Sequence, residues 1–434
     1  MLYFKKFIII CTVFIYFDNV NAADVNYGIS TTVSTFSNIN RLTINSQSEK
    51  SLTLTPFISI VEDTSLLRLD LNARSNLINF ESSLNGDRNV SNLSSSALWR
   101  IYPGQFEWFI SDVFTQTAID PLLANGLSNR QDVNVFDTGP NFLFRIKARN
   151  TIRVEPRIQN TIFENPGADN IRFILRTIYD YNLNSYINFT MNYNFEKIDV
   201  DNQAFNPATN QVNDFDSLRN DVFITANYRR ASDIYDVELG FTKLGFGDNT
   251  VQDKNVFRFG FSLTRQFNRL SNIRFLLNRS LDDVSRNLTN TLAVNGNVTA
   301  VNAANTDFFL NENLRVIYNT NYFAWNFTAE TFFNSLDYVQ QTVLSRNQSG
   351  VLLDTVINLS ARSSLSLGLE YRNSDFDTVV RDDSETLYSL IYNYQLRRNF
   401  SLSLQAINQD RSSTGANLSF EDTRFFISLT YNSG

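Results

Sequence analysis

Charged side chains that recur at every second position are the residues in this chain best placed to do chemistry. Arg145, Lys147 and Arg149 alternate with Phe144, Ile146 and Ala148, and Arg153, Glu155 and Arg157 alternate with Val154, Pro156 and Ile158. Arg68 and Arg74 flank Asp70 in a third segment, and Arg176 precedes Asp180 in a fourth. On one face of a wall, such a stripe draws anions; the same charges can instead pair with carboxylates on neighbouring strands. Two carboxylate pairs, Asp282-Asp283 and Asp382-Asp383, lie in polar sequence that reads as loop. A solvated acidic loop is one reading of them and calcium ligation by hard oxygen donors the other. Catalysis has little to work with, because the chain has no histidine and one cysteine. The usual general base and the soft metal ligands are therefore missing. No catalytic residue, cofactor or metal site is expected.

The elements that must position the stripe are extended strands. Alternation puts Phe142, Phe144, Ile146 and Ala148 on one face and every charge on the other, whereas a helix would scatter the charges. The same period returns in Leu67–Arg74, Ile187–Glu196, Val222–Tyr228, Tyr235–Phe241, Phe257–Leu263, Phe323–Ala329, Leu365–Tyr371 and Phe425–Tyr431. These segments hold the pattern over the roughly 9–11 residues that a tilted strand needs to cross a bilayer. Strands of a soluble sandwich usually run to about 5–6. Short polar connections such as Asn182–Asn184, Arg229–Asp233 and Arg397–Asn399 alternate with long ones rich in Asn, Asp, Ser and Thr, around 199–216, 282–305, 337–350, 373–385 and 409–421. Outer-membrane barrels show that asymmetry, with short turns inside and long loops outside. Tyr179, Tyr181, Tyr186, Tyr228, Tyr235, Tyr392, Tyr394 and Phe400 gather beside the short connections, where an interfacial aromatic girdle belongs.

The expected fold is therefore all-β: an antiparallel up-and-down transmembrane β-barrel of about eighteen strands, within sixteen to twenty. Lys5 and Lys6 precede a short apolar run from Phe7 to Phe17, and Val20-Asn21-Ala22 offers small residues before a cleavage site. Residues 1–22 thus read as a cleaved signal peptide and 23–434 as a single barrel. Cys11 falls inside that leader, so the exported chain carries no thiol and no disulfide staple. The apolar residues, 43% of the total, are dispersed, and no long apolar helix follows the leader. The net charge of −7 becomes −8 when two lysines and one aspartate leave with the leader, which argues against nucleic acid as a partner.

The stretch Leu98-Trp99-Arg100-Ile101-Tyr102-Pro103-Gly104-Gln105-Phe106-Glu107-Trp108, followed by Asn134-Val135-Phe136-Asp137-Thr138-Gly139-Pro140-Asn141-Phe142, resembles a family of predicted outer-membrane barrels. That family accompanies the PEP-CTERM/exosortase and exopolysaccharide loci of Gram-negative bacteria. The hairpin pattern of Tyr392–Leu404, with Asp410-Arg411-Ser412-Ser413 after it, extends the resemblance over most of the exported chain. The chain departs from the family in its few glycines, 15 in all, and in ending on Ser433-Gly434 instead of an aromatic residue. The resemblance implies an outer-membrane component linked to surface polysaccharide export or to surface-protein sorting. Its partners would be outer-membrane lipid, the barrel assembly machinery, and polysaccharide or small anionic solutes. Two functions follow from different classes: a porin-like channel, or a non-conducting barrel that anchors envelope assembly partners.

Overall fold

A computed structural model of the chain describes residues 23–433, apart from 83–85, 125, 165–168, 201–203, 207–210, 214–215, 248–251, 284–285 and 287–306. The expected leader lies outside the described residues. The first strands are β1 (Asp24–Phe36), β2 (Glu49–Asp63), β3 (Leu67–Phe80), β4 (Arg88–Tyr102), β5 (Phe106–Ala118), β6 (Arg130–Lys147), β7 (Asn150–Phe163), β8 (Asn170–Asn182) and β9 (Ile187–Val200). A small hairpin, β10 (Ala204–Asn206) with β11 (Gln211–Asn213), interrupts the next connection. Then follow β12 (Ser217–Arg229), β13 (Asp233–Phe246), β14 (Lys254–Gln266), β15 (Ser271–Asp283), β16 (Phe308–Tyr322) and β17 (Trp325–Tyr338). The last five are β18 (Arg346–Ser360), β19 (Ser363–Phe376), β20 (Asp382–Arg397), β21 (Phe400–Ser413) and β22 (Phe420–Asn432).

Apart from the small hairpin, the strands form one antiparallel 20-stranded sheet, and β1 pairs with β22 from Gly28–Asn432 to Phe36–Arg424. The sheet is closed. Twenty strands is the upper bound of the sequence expectation and two above its central count. The stretch 308–333 divides into β16 and β17 at a two-residue turn, where Phe323 takes a left-handed φ of 49°. At the usual strand spacing and a tilt near 40°, such a barrel measures roughly 40 Å between opposite backbones.

Nine connections of two to four residues lie at one end, and all the longer ones lie at the other. Several of these loops are shorter than the sequence suggests: 339–345, 377–381 and 414–419 in place of 337–350, 373–385 and 409–421. The strands run on past the apolar band, and their ends carry polar residues on both faces, which read as loop in the sequence. Phe106–Phe142, Tyr228–Tyr235 and Phe400–Tyr431 pack as ring pairs 5.2–5.9 Å apart beside the short turns. The resemblance motif at Leu98–Trp108 is itself a hairpin: Gly104 turns it at φ 75°, and Trp99 lies opposite Trp108.

Register fixes which residues share a face. Phe189 lies opposite Ala226, Met191 opposite Ile224, and Leu239 opposite Phe259, while Asn188 lies opposite Asn227 and Asn192 opposite Phe223. The inner face is identified by ion pairs that cross the lumen, since Arg172 of β8 touches Asp283 of β15, strands that are not neighbours in the sheet. Two-residue alternation carries that face from Arg172 to Arg176 and through the paired strands to Asn188 and Asn192. Phe144, Ile146 and Phe189 are exposed on the other face, as lipid contact requires. Asp112 is an ionisable exception in this apolar band, set between Ile110 and Phe114 and opposite Ser95 and Phe136.

Met191→Arg, at the middle of the outward run from Ile187 to Phe195, should destabilise the lipid-embedded barrel by about 2–4 kcal/mol, whereas Asn192→Arg one position away should cost far less. Urea titration of refolded protein in lipid vesicles measures both. Equal costs would mean that the faces are exchanged.

Candidate functional site: a charged cluster at the loop end of the lumen

Buried charge concentrates at the loop end. Arg172 of β8 donates to Glu196 of β9 at 3.0 Å and reaches Asp283 of β15 at 2.8 Å. Arg286, in the β15–β16 connection, contacts Glu196 at 2.6 Å and Asp221 of β12 at 3.5 Å. Arg219 donates from Nε to Asp221 at 2.9 Å, and Thr242 of β13 adds a hydroxyl at 2.7 Å. Arg172, Glu196, Arg219, Asp221 and Asp283 are at most 1% exposed. Around them pack Ile198, Val200, Leu244, Leu281 and Phe308. Both terminal nitrogens of Arg219 are buried without a hydrogen-bond partner among the described residues.

Wall geometry explains how β8 and β15 meet. On a circular barrel of this size, backbones five strands apart would lie roughly 28 Å from each other, beyond the reach of an arginine–aspartate pair. The β14–β15 ladder, however, stops at Phe259–Arg279, and Ser280–Asp283 pair only with β16. Released from β14, the end of β15 folds inward, so that Leu281 and Asp283, which share the alternation of the outward Phe275 and Leu277, pack against the inner side of the wall together with Phe308.

On the other side of the mouth, residues 119–124 of the β5–β6 connection fold inward. Leu122 packs against Phe309, Tyr338 and Leu344, and its carbonyl accepts from Arg381 at 2.7 Å. Arg381 and Arg411 converge on Asp383, and Arg411 also faces Glu385 at 3.7 Å. The second carboxylate of each sequence pair is thus buried against arginine. Asp283 ends a strand and Asp383 sits near the start of one, so neither lies in a solvated loop, and the described residues hold no acidic cluster suited to a metal ion. At the opposite end the two- to four-residue turns are too short to cover the lumen.

The eight cations singled out by alternation are distributed along the wall and do not join this cluster. Arg68 lies opposite Asp63, and Arg74 opposite Phe57 and Asn92. Arg145 lies opposite Thr151, and Lys147 ends β6 opposite Asn150. Arg149 belongs to the turn after β6, where it donates to the Leu183 carbonyl at 3.3 Å. Arg153 is held between Glu155 at 3.4 Å and Asp180 at 3.6 Å, and Arg176 lies opposite Glu155.

Arg157 has a structural task. Pro140 and Pro156 sit opposite each other across the β6–β7 ladder, and neither has an N–H to give. Arg157 Nη1 donates to both proline carbonyls, at 2.8 and 3.0 Å, and Nη2 donates to Asn141. The Phe109 ring covers the guanidinium at 5.0 Å. Gly139 precedes the break because a Cβ there would stand 2.1 Å from the Pro156 carbonyl oxygen.

Sequence reasoning missed Arg172, Arg219, Arg286, Arg381 and Arg411. A usable signal existed for one: Arg172 shares the two-residue period of Arg176, at the strand end where the wall passes beyond the apolar band.

Removing one partner of the cluster leaves buried charge unpaired. Arg172→Met should therefore cost about 3–5 kcal/mol, and pairing it with Asp283→Leu should recover part of the loss; unfolding titrations in detergent measure both. Asp307, just before β16, accepts from the backbone N–H groups of Phe308, Gln340 and Gln341. Burial nonetheless pushes its carboxyl up to about 6, against those hydrogen bonds, with Asp337 adding to the rise. A carboxyl raised in the fold contributes stability below pH 4 that is lost as pH climbs through about 6. Amide-exchange protection of Phe308 and of 340–341 should therefore fall between pH 4 and pH 7, and Asp307→Asn should flatten that change.

No family model matches this chain, and no curated protein matches it. Among solved structures, it is similar to a ferric enterobactin receptor (PfeA) variant from Pseudomonas aeruginosa, at 10% identity over 95% of this chain and 80% of that one, with a TM-score of 0.52. It is similar also to the FrpB iron transporter of Neisseria meningitidis, at 9% identity over 94% and 82%, with a TM-score of 0.51. The ferric-catecholate import receptor Fiu of Escherichia coli K12 aligns at 9% identity over 94% and 81%, with a TM-score of 0.50. At such identities the likeness is one of fold. The chain is an outer-membrane-type β-barrel.

Proposed function

We propose that this protein is a gated outer-membrane channel for small hydrophilic solutes, accessible from the turn side and held shut at the loop side. The observation that carries the proposal is the Arg172–Asp283 pair, which ties β15 to a non-neighbouring strand across the lumen. A permanent plug would be served better by apolar packing, since buried ion pairs return little net stability. This mouth instead keeps three arginines against three carboxylates and leaves the fork of Arg219 unsatisfied among the described residues. Such a closure is specific in geometry and costly in energy, which suits an element with two states.

Expectations of charge selectivity weaken on the same geometry. Arg153 is paired and Arg157 is committed to the backbone, so only part of the basic stripe remains for a solute. The link to exopolysaccharide export or surface-protein sorting rests on residues 98–108 and 134–142. These build a hairpin and the proline break, so they speak for a shared barrel build and carry no information on cargo. A second reading, a non-conducting anchor for assembly partners, is favoured by the filled loop end.

Planar-bilayer recording separates the two. Wild-type protein should be mostly closed, and Arg172→Gln should raise its open probability by about tenfold or more, as loss of roughly 1.4 kcal/mol of closure requires. Silence in both, with insertion confirmed, would favour the anchor.

A further inference from the structure

The inner wall is not chemically uniform. Along β15, β16 and β17 it carries a track of amides and hydroxyls. Near the turn end, Thr328 donates to Asn319 at 2.9 Å, and Asn319 donates to Asn272 at 3.3 Å. Toward the loop end, Asn313 donates to Asn334, and Asn278 donates to Ser280 at 2.9 Å. Between them, on the same face, stand Arg315, paired with Glu330 at 3.1 Å, and Arg274, Leu276, Ile317 and Phe332, so the amides form two patches along one wall. The opposite face of the same strands is apolar, with Phe275, Leu277, Leu314 and Phe333, so the amides are segregated to the lumen and do not merely reflect an asparagine-rich chain.

An asparagine side chain offers two donors and an acceptor, and each bond above uses only part of that capacity. The remaining groups face the lumen. A hydroxyl both donates and accepts, and so matches an amide from either side. A carboxylate or phosphate only accepts, leaving the amide oxygens unmatched; an ammonium group only donates. The β6–β8 sector, by contrast, presents Arg153, Glu155, Asp180 and Arg176.

We infer that the β15–β17 wall is a binding track for neutral polyhydroxylated solutes, an uncharged oligosaccharide being the matching class. The inference rests on the channel reading for its transport meaning, but the track itself binds whether or not the barrel conducts. It also leads directly to the gate, because the strand that carries Asn272 and Asn278 ends at Asp283.

Two measurements on the full refolded chain test it. Maltoheptaose added from the turn side should block the Arg172→Gln channel, whereas polyethylene glycol of the same hydrodynamic size should not. Calorimetric titration of maltoheptaose into detergent-solubilised protein reads binding without conduction. Asn313→Leu and Asn319→Leu should each weaken binding about five-fold, the worth of one hydrogen bond, while Arg153→Gln leaves it unchanged. Equal block by sugar and polymer, preferential binding of citrate, or indifference to both asparagine changes would overturn the track. Binding that responds to the asparagines in a barrel that never conducts would uphold the track and remove the channel.

Discussion

Everything in this molecule follows from the absence of water around its backbone. In a bilayer each unpaired N–H or C=O costs several kcal/mol, so a sheet survives only if it has no edge. Closure of β1 on β22 meets that demand. An antiparallel barrel closed in this way has an even strand count, and its first and last strands then have their outer ends on the same side, here that of the short turns. Alternation does the rest: once the outer face is fixed by Phe, Leu, Ile and Tyr, each intervening residue is committed to the lumen. The β6–β7 ladder tests the rule, because two opposed prolines remove both N–H donors from one pair of positions. The loss is answered from the lumen side by a single guanidinium.

The two ends of the barrel solve different problems. At the turn end, connections of two to four residues close hairpins and place aromatic rings at the interface, with nothing long enough to enter the lumen. At the loop end, the strands continue beyond the apolar band, and the connections have room to fold inward. There the interior carries both apolar clusters and charge: Leu244 and Phe308 are packed as in a soluble core, beside arginines that no water reaches. Burial of this kind is tolerated only where each charge finds its opposite, and the Arg172–Glu196–Arg286–Asp221 chain shows that bookkeeping nearly complete. Arg219 is paired with Asp221 through Nε, and only its terminal nitrogens lack a hydrogen-bond partner among the described residues.

The fold was legible because its physics is local. A two-residue period over Ile187–Phe195, a tight turn at 183–186 and a tyrosine beside it need nothing beyond neighbouring residues to be read. The loop-end cluster was not legible for the converse reason: Arg172 and Asp283 are 111 positions apart, and no pattern within either segment announces the other. Asp282-Asp283 and Asp382-Asp383 read as solvated acid in the sequence; in the fold both pairs belong to strand ends, and Asp283 and Asp383 are buried against arginine. The alternating arginines were located correctly in sequence, yet alternation reports only a face. It cannot distinguish Arg153, held by carboxylates, from Arg157, which beside Glu155 and Asn141 also serves two carbonyls left open by proline.

That last arrangement ties three positions together in mutational terms. With Pro140 and Pro156 in place, loss of Arg157 removes the one side-chain donor that both proline carbonyls share. With either proline replaced by a residue that has an N–H, one ladder bond returns and the arginine becomes partly dispensable. The effect of changing Arg157 therefore has no single value; it depends on which residues face each other across β6 and β7, and the three substitutions cannot add. Such a triad can change only in a fixed order, prolines before arginine, so the path open to this stretch of wall is far narrower than its apolar lipid face would suggest.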